Sequence, residues 1–134
     1  MALTAVADTR FILTLEFPPN QEAKEKTRNL FEKELKQGLI LPTIVITEFI
    51  EIAAARIGEA AAKNRFRLLK ERGMEVASID EKCGIAAGIL LLSHRNIPIA
   101  DALISSLVTT GLAEYVLTDD PHYKTLNVKT KWIP

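Results

Sequence analysis

A single cysteine, Cys83, leaves this chain without an internal disulfide. No charged leader with a hydrophobic signal core is visible, and no apolar run is long enough to span a bilayer. These absences lead us to expect a soluble, cytoplasmic protein with no membrane contact. An excess of charge of one sign is missing too, since 17 Lys and Arg face 17 Asp and Glu. That balance excludes a strongly basic binder, so any nucleic-acid contact must rest on a local patch. Fixed-period repeats and low-complexity tracts are absent. The histidines, His94 and His122, lie far apart with no companion Cys or His at zinc spacing; His122 reads as solvent-exposed. Cys83 has no neighbour to act as a base and reads as packing.

What is present is hydrophobic content of 48% over 134 residues, enough for one domain with a real core, taken as 1–134. Pro18, Pro19, Gly38, Pro42, Gly73, Pro98 and Pro121 punctuate alternating elements. Leu3 to Ala7 reads as a buried strand. Asn20 caps a helix to Lys36 with Leu30, Phe31 and Leu35 as its apolar stripe, and Gly38 stops it. A short strand at Leu39 to Leu41 leads to a helix that Thr43 can cap, with Val45, Phe49, Ile52 and Ala53 at helical spacing. The basic segment that follows also reads as helix. Glu75 to Ile79 is a strand, and Asp80 caps a helix to about His94. That helix holds the longest apolar run, Ile85 to Leu92, read as core helix. Pro98 opens a further helix ending near Gly111, Tyr115 to Thr118 is a strand, and Val128 to Ile133 alternates like an edge strand with one wet face. Strands alternating with helices imply an α/β fold, a mostly parallel twisted central sheet with helices on both faces.

Within that pattern five acids stand out. Asp8 follows the first strand, Asp119 and Asp120 follow Tyr115 to Thr118, Glu48 interrupts the apolar TIVITEFIEI, and Asp101 lies in the first turn of IPIADALISSL. Open α/β sheets bind ligands outside the carboxyl ends of their strands. Each acid alone has a bland reading; Asp101 suits a helix macrodipole, as Asp80 does. Carboxylates in apolar surroundings are costly to desolvate, and several converging would repel one another unless a hard cation neutralises them. Oxygen-only clusters suit Mg²⁺ or Mn²⁺.

The ordered set ADTRFIL, ITEFIEI, PIADALISSL and VLTDDPHY, at this spacing, resembles the PIN-domain ribonucleases, including the VapC-type toxins of toxin–antitoxin pairs. The resemblance spans nearly the whole chain and implies a single PIN-like domain. It also implies an acidic pocket of Asp8, Glu48, Asp101 and Asp120, with Asp119 as second choice for the last position because relatives often carry Asn there. Thr118 matches a threonine that supports the pocket, and Thr9 matches a residue commonly Thr or Ser. One departure is Arg10, where relatives usually have a small polar residue. It could hold acids by charge pairing or meet a substrate phosphate. The implied chemistry is Mg²⁺- or Mn²⁺-dependent hydrolysis of RNA, with Asp8, Asp101 and Asp120 as ligands and Glu48 completing the set. An antitoxin partner and a homodimer are implied in the same way.

Substrate contact needs positive charge, and KNRFRLLKERG supplies it: on a helix Lys63, Arg67 and Lys70 share a face that could follow a phosphate backbone, or simply be solvated. Two other functions compete with the nuclease. A PIN-like fold without metal would serve as an RNA- or protein-binding module. A response-receiver domain also has an acidic Mg²⁺ pocket, but its paired acids belong after the first strand, whereas here the pair comes late.

Overall fold

A computed structural model describes residues 4–134, so Leu3 of the expected first strand lies outside the described residues. The elements run β1 (Ala5–Ala7), α1 (Thr9–Glu16), α2 (Gln21–Gln37), β2 (Leu39–Pro42), α3 (Thr43–Ile57), α4 (Glu59–Glu71), β3 (Glu75–Ala77), α5 (Glu81–Ser93), α6 (Ile99–Thr109), β4 (Tyr115–Leu117), α7 (His122–Thr125) and β5 (Thr130–Lys131). All strand pairs are parallel, in the order β3-β2-β1-β4-β5. The chain first builds outward from β1 through β2 to β3, then returns to β4 on the other side. Right-handed crossovers therefore place the two sets of helices on opposite faces, and the order reverses between β1 and β4.

Burial follows from that order. Ala5, Val6 and Ala7 of the central strand are fully buried, as a strand covered on both faces requires. Phe11, Phe31, Phe49, Leu41, Ile104, Leu107 and Leu117 fill the core around them. The edge strands β3 and β5 are short, which limits the unpaired backbone they offer. β5 covers only part of the expected Val128 to Ile133, and Trp132 just beyond it meets Phe11 edge to face at 6.1 Å.

Helix starts are set locally. Asn20 caps α2, accepting from the Ala23 N–H at 2.8 Å, and Asp80 caps α5, accepting from the Cys83 N–H at 2.9 Å. Thr43 is not a cap: Pro42 holds that position with φ −67° and no side-chain bond, because β2 runs into α3 without a loop and the helix begins at Thr43 itself. Helix α1 was not expected. Only Asp8, Thr9 and Arg10 separate its apolar residues from β1, with no Gly or Pro to mark a boundary, and its cap is Asp8, which accepts from the Phe11 N–H at 3.1 Å.

The apolar run of α5 is only partly core. Cys83 and Ala87 of that helix are buried, Leu90 and Leu91 pack against the core half-buried, and the helix lies mainly on α6. Ile85, Ile89 and Leu92, at i, i+4 and i+7, stay 60%, 61% and 67% exposed. Hydrophobicity on all sides of a helix sitting at the rim leaves one face without a place in the core. Ile52, expected in the α3 stripe, is likewise 37% exposed.

One buried polar link ties α2 to the sheet. Glu34 is fully buried, accepting from the Tyr115 hydroxyl at one oxygen and from Lys131 Nζ at the other, the latter at 2.7 Å. Burial, with Glu34 beside it, pushes the Tyr115 phenol well above its usual range.

Candidate metal centre

The reversal point between β1 and β4 opens a crevice at their carboxyl ends, and the sequence delivers a polar group from each side of it. Asp8 leaves β1 there, its N–H donating to Leu117 O of β4 at 3.5 Å, and is 3% exposed. On the other side Thr118 extends β4, its N–H donating to Lys131 O at 3.0 Å. The Thr118 hydroxyl oxygen then accepts from the Asp120 N–H at 3.0 Å, folding the chain back so that the Asp120 side chain faces the crevice. Asp101 projects from the first turn of α6. Glu48 comes from the second turn of α3, where the Thr9 hydroxyl donates to it at 2.5 Å.

Tyr123 shows that these acids converge. It is fully buried, and its hydroxyl donates to Asp101 at 3.4 Å. Burial first, and then the charges of Asp8, Asp101, Asp120 and Glu48, hold its phenol far above the usual tyrosine range. One side chain thus feels all four carboxyl groups.

The carboxyls in turn resist ionisation. Burial is the main cause that raises Asp8 to about 7, with Asp101 and Asp120 adding repulsion, while hydrogen bonds from the Thr118 hydroxyl and the Phe11 N–H oppose it. Asp101 is raised too, by burial and by Asp120 and Glu48, against the pull of His122.

His122, expected in solvent, reaches into this cluster. Its Nδ1 lies 2.7 Å from Asp101 Oδ2 and 3.2 Å from Asp120 Oδ1, and its backbone N–H donates to Asp120 Oδ1 at 2.9 Å. The ligating atoms of Asp101, Asp120 and His122 all lie within 4.8 Å of one another. Such a donor set, rich in oxygen beside a buried carboxyl that resists its charge, fits a divalent cation: a dication would offset the burial, and the repulsion added to it, that raise Asp8 and Asp101. The sequence signal for His122 was its place two residues after Asp120, inside the turn that the acid itself starts. Without the turn geometry that signal is mute.

The adjacent acid behaves differently. Arg10 grips Asp119 with both Nε and Nη2, and this pair stands at the rim with side chains 58% and 37% exposed. The hydrogen bond from Arg10 holds the Asp119 carboxyl below its ordinary value, and no other acid contributes to that shift. Of the two neighbouring acids, Asp120 therefore faces the crevice and Asp119 faces Arg10.

The basic residues of α4 are engaged along their own helix. Lys63 pairs with Glu59 at 2.7 Å, Arg67 with Glu71, and Lys70 lies over the Phe66 ring at 5.8 Å. Neither an ion pair nor a hydrogen bond links the three to the pocket acids among the described residues.

Comparison with known proteins shows the family and the fold. The model of the PIN domain family matches residues 5–129. Among solved structures, VapBC2 from Rickettsia felis bound to a promoter DNA fragment aligns at TM-score 0.81 with 16% identity, over 98% of this chain and 100% of that one. VapC20 of Mycobacterium tuberculosis, described as a sarcin-ricin-loop-cleaving toxin, aligns at 0.75 with 14% identity, over 93% and 96%. FitAcB from Neisseria gonorrhoeae aligns at 0.69 with 18% identity, over 95% and 96%. No curated protein sequence matches the chain.

Proposed function

This chain belongs to the PIN domain family, and on that premise we propose that it is a metal-dependent ribonuclease that hydrolyses RNA phosphodiester bonds as the toxin of a toxin–antitoxin pair. The observation that carries this reading is the convergence of Asp8, Glu48, Asp101 and Asp120, all felt by Tyr123, at the topological reversal of the sheet. The likeness to VapC20, described as a sarcin-ricin-loop-cleaving toxin, supports the substrate class.

In this reading Asp101, Asp120 and Asp8 hold Mg²⁺ or Mn²⁺, and Glu48 completes the set. Bound there, the cation would stabilise charge on the scissile phosphate and lower the pKa of an attacking water. Thr118 fixes Asp120 through its backbone, and Thr9 fixes the Glu48 carboxylate. Arg10 stands at the rim, where its guanidinium can exchange Asp119 for a backbone phosphate. Because Arg10 engages Asp119 and leaves the four convergent acids unpaired with it, the structure favours this reading over a metal-free binding module.

Partners follow the same premise. Solved relatives include VapBC complexes from Rickettsia felis and Salmonella typhimurium bound to DNA, which supports an antitoxin partner for this chain. The exposed stripe of Ile85, Ile89 and Leu92 on α5 supports a homodimer, since a two-fold axis can set such a stripe against its own copy. Lys63, Arg67 and Lys70 remain the proposed RNA-backbone contacts. No helix among the described residues is long and apolar enough to cross a membrane.

The decisive experiment incubates structured and single-stranded RNA with the protein in Mg²⁺, Mn²⁺ or EDTA, beside Asp101→Asn. Metal-dependent cleavage lost in the variant is expected. Equal residual cleavage by both proteins, or cleavage in EDTA, would refute the reading.

A further inference from the structure

We propose that His122 is itself a metal ligand through Nδ1, beside Asp101 and Asp120, and that this nitrogen makes the centre prefer Mn²⁺ to Mg²⁺. The inference rests on the metal-dependent reading above and adds to it a residue type that an all-carboxylate pocket lacks.

Three observations carry it. The first is spacing. Nδ1 stands 2.7 Å from an Asp101 oxygen and 3.2 Å from an Asp120 oxygen. Donors at neighbouring corners of an octahedral site with bonds of about 2.1 Å stand about 3 Å apart. Nδ1 already stands at such a separation from each of the two carboxylate oxygens, and the three ligand atoms lie within 4.8 Å of one another. The second is anchoring. The His122 N–H is bonded to Asp120 Oδ1 at 2.9 Å, and the next residue, Tyr123, is fully buried with its hydroxyl on Asp101. The ring is therefore held by the same two acids it would share a cation with. The third is exposure: the His122 side chain is 41% exposed, so Nε2 can carry the ring proton towards water while Nδ1 offers its lone pair inward.

Without a cation, a ring N–H can lie between the two carboxylates and hydrogen-bond them. With one, the same Nδ1 becomes a ligand and no side chain has to move far. Imidazole nitrogen suits transition metals, whereas Mg²⁺ favours oxygen ligands and retained water. Mn²⁺ accepts both, so one imidazole tilts a carboxylate centre towards it.

The rival role for His122 is outside the shell, orienting Asp101 by hydrogen bonding. Loss of such an outer partner also costs about 10–100-fold in metal affinity, so affinity alone does not separate the two roles. Nitrogen coupling does. The chain has only two histidines, and the other, His94, donates from Nδ1 to Leu90 O at the end of α5. Pulsed electron paramagnetic resonance of the Mn²⁺-loaded protein should show ¹⁴N modulation from a bound imidazole that survives His94→Gln and disappears in His122→Gln. The measurement on the native protein stands even if His122→Gln fails to fold. Calorimetric titration gives a second readout: His122→Asp, which puts oxygen in place of nitrogen, should lower the Mn²⁺-to-Mg²⁺ affinity ratio by roughly tenfold. Mn²⁺ bound with no imidazole coupling would overturn the assignment of His122 and leave the metal-dependent reading intact. Failure of the native protein to bind Mn²⁺ would overturn both.

Discussion

Replacing Asp8 by Asn should stabilise the metal-free protein at neutral and alkaline pH, although Asp8 lies at the heart of the proposed centre. The reason is its buried carboxyl, raised from 3.8 to about 7. A folded-state pKa above the unfolded value means that the native state binds the proton more tightly. The contribution is fully present below about pH 4 and is lost as pH rises through 7. At 1.36 kcal/mol per unit the shift corresponds to about 4 kcal/mol, of which about 2–3 kcal/mol disappears between pH 5 and pH 8. Asn removes the titration without removing the helix cap, because its side-chain oxygen can still accept from the Phe11 N–H. Urea unfolding in EDTA at both pH values, for both proteins, isolates the effect, since the two share the remaining acids. With m of about 1–3 kcal/mol/M, the midpoint of the native protein should fall by about 1–2 M more than that of Asp8→Asn. Mn²⁺ at a thousand times its Kd stabilises by about 4 kcal/mol, enough to cancel the deficit in the native protein alone. Parallel pH profiles for the two proteins would refute the reasoning.

Other expectations test separate parts of the molecule. Glu34→Ala strands the Tyr115 hydroxyl and Lys131 beside a cavity and should cost about 3–5 kcal/mol in urea unfolding; a change under 1 kcal/mol would remove this link from the fold's supports. Arg10→Gln breaks only an exposed ion pair, so stability should change by less than about 1 kcal/mol while the KM for RNA rises; an unchanged KM would confine Arg10 to holding Asp119. Neutralising Lys63, Arg67 and Lys70 should flatten the salt dependence of RNA binding by a slope of roughly 2, and an unaltered slope would make α4 a solvated face. Ile89→Glu should leave the fold intact, because that side chain is 61% exposed, and should convert a dimer to a monomer in sedimentation; an unchanged mass would exclude α5 from the interface.

How much of this was legible depended on whether a residue broke its local pattern. Glu48 and Asp101 were visible as charges set into apolar sequence, and Asp8 and Asp120 as acids at strand ends, although the choice of Asp120 over Asp119 rested on the family resemblance. The parallel sheet was implied by alternation, although β3, β4 and β5 are shorter than the stretches that suggested them, because pairing needs a partner at the same level. Helix α1 was hidden because no Gly or Pro separates it from β1, and only the cap at Asp8 divides strand from helix. The stripe on α5 misled for the opposite reason: apolarity says that a surface prefers cover but not which body covers it. His122 carried only the signal of its place just after Asp120, since its other partner Asp101 lies 21 residues away and only the fold makes them neighbours.

Asp8 serves two masters, and the arrangement has a dynamic consequence. The oxygen that holds the Phe11 amide belongs to the same carboxyl whose charge the crevice opposes. An ionised cap holds a helix start better than a neutral one, through both the stronger bond and the macrodipole. Filling the crevice with a cation therefore tightens the first turn of α1, and emptying it at low pH loosens that turn. Hydrogen exchange at the Phe11 amide becomes a gauge of occupancy read from the far side of the residue. Any protein that grips α1 would sense, through one carboxyl, whether the centre behind it is loaded.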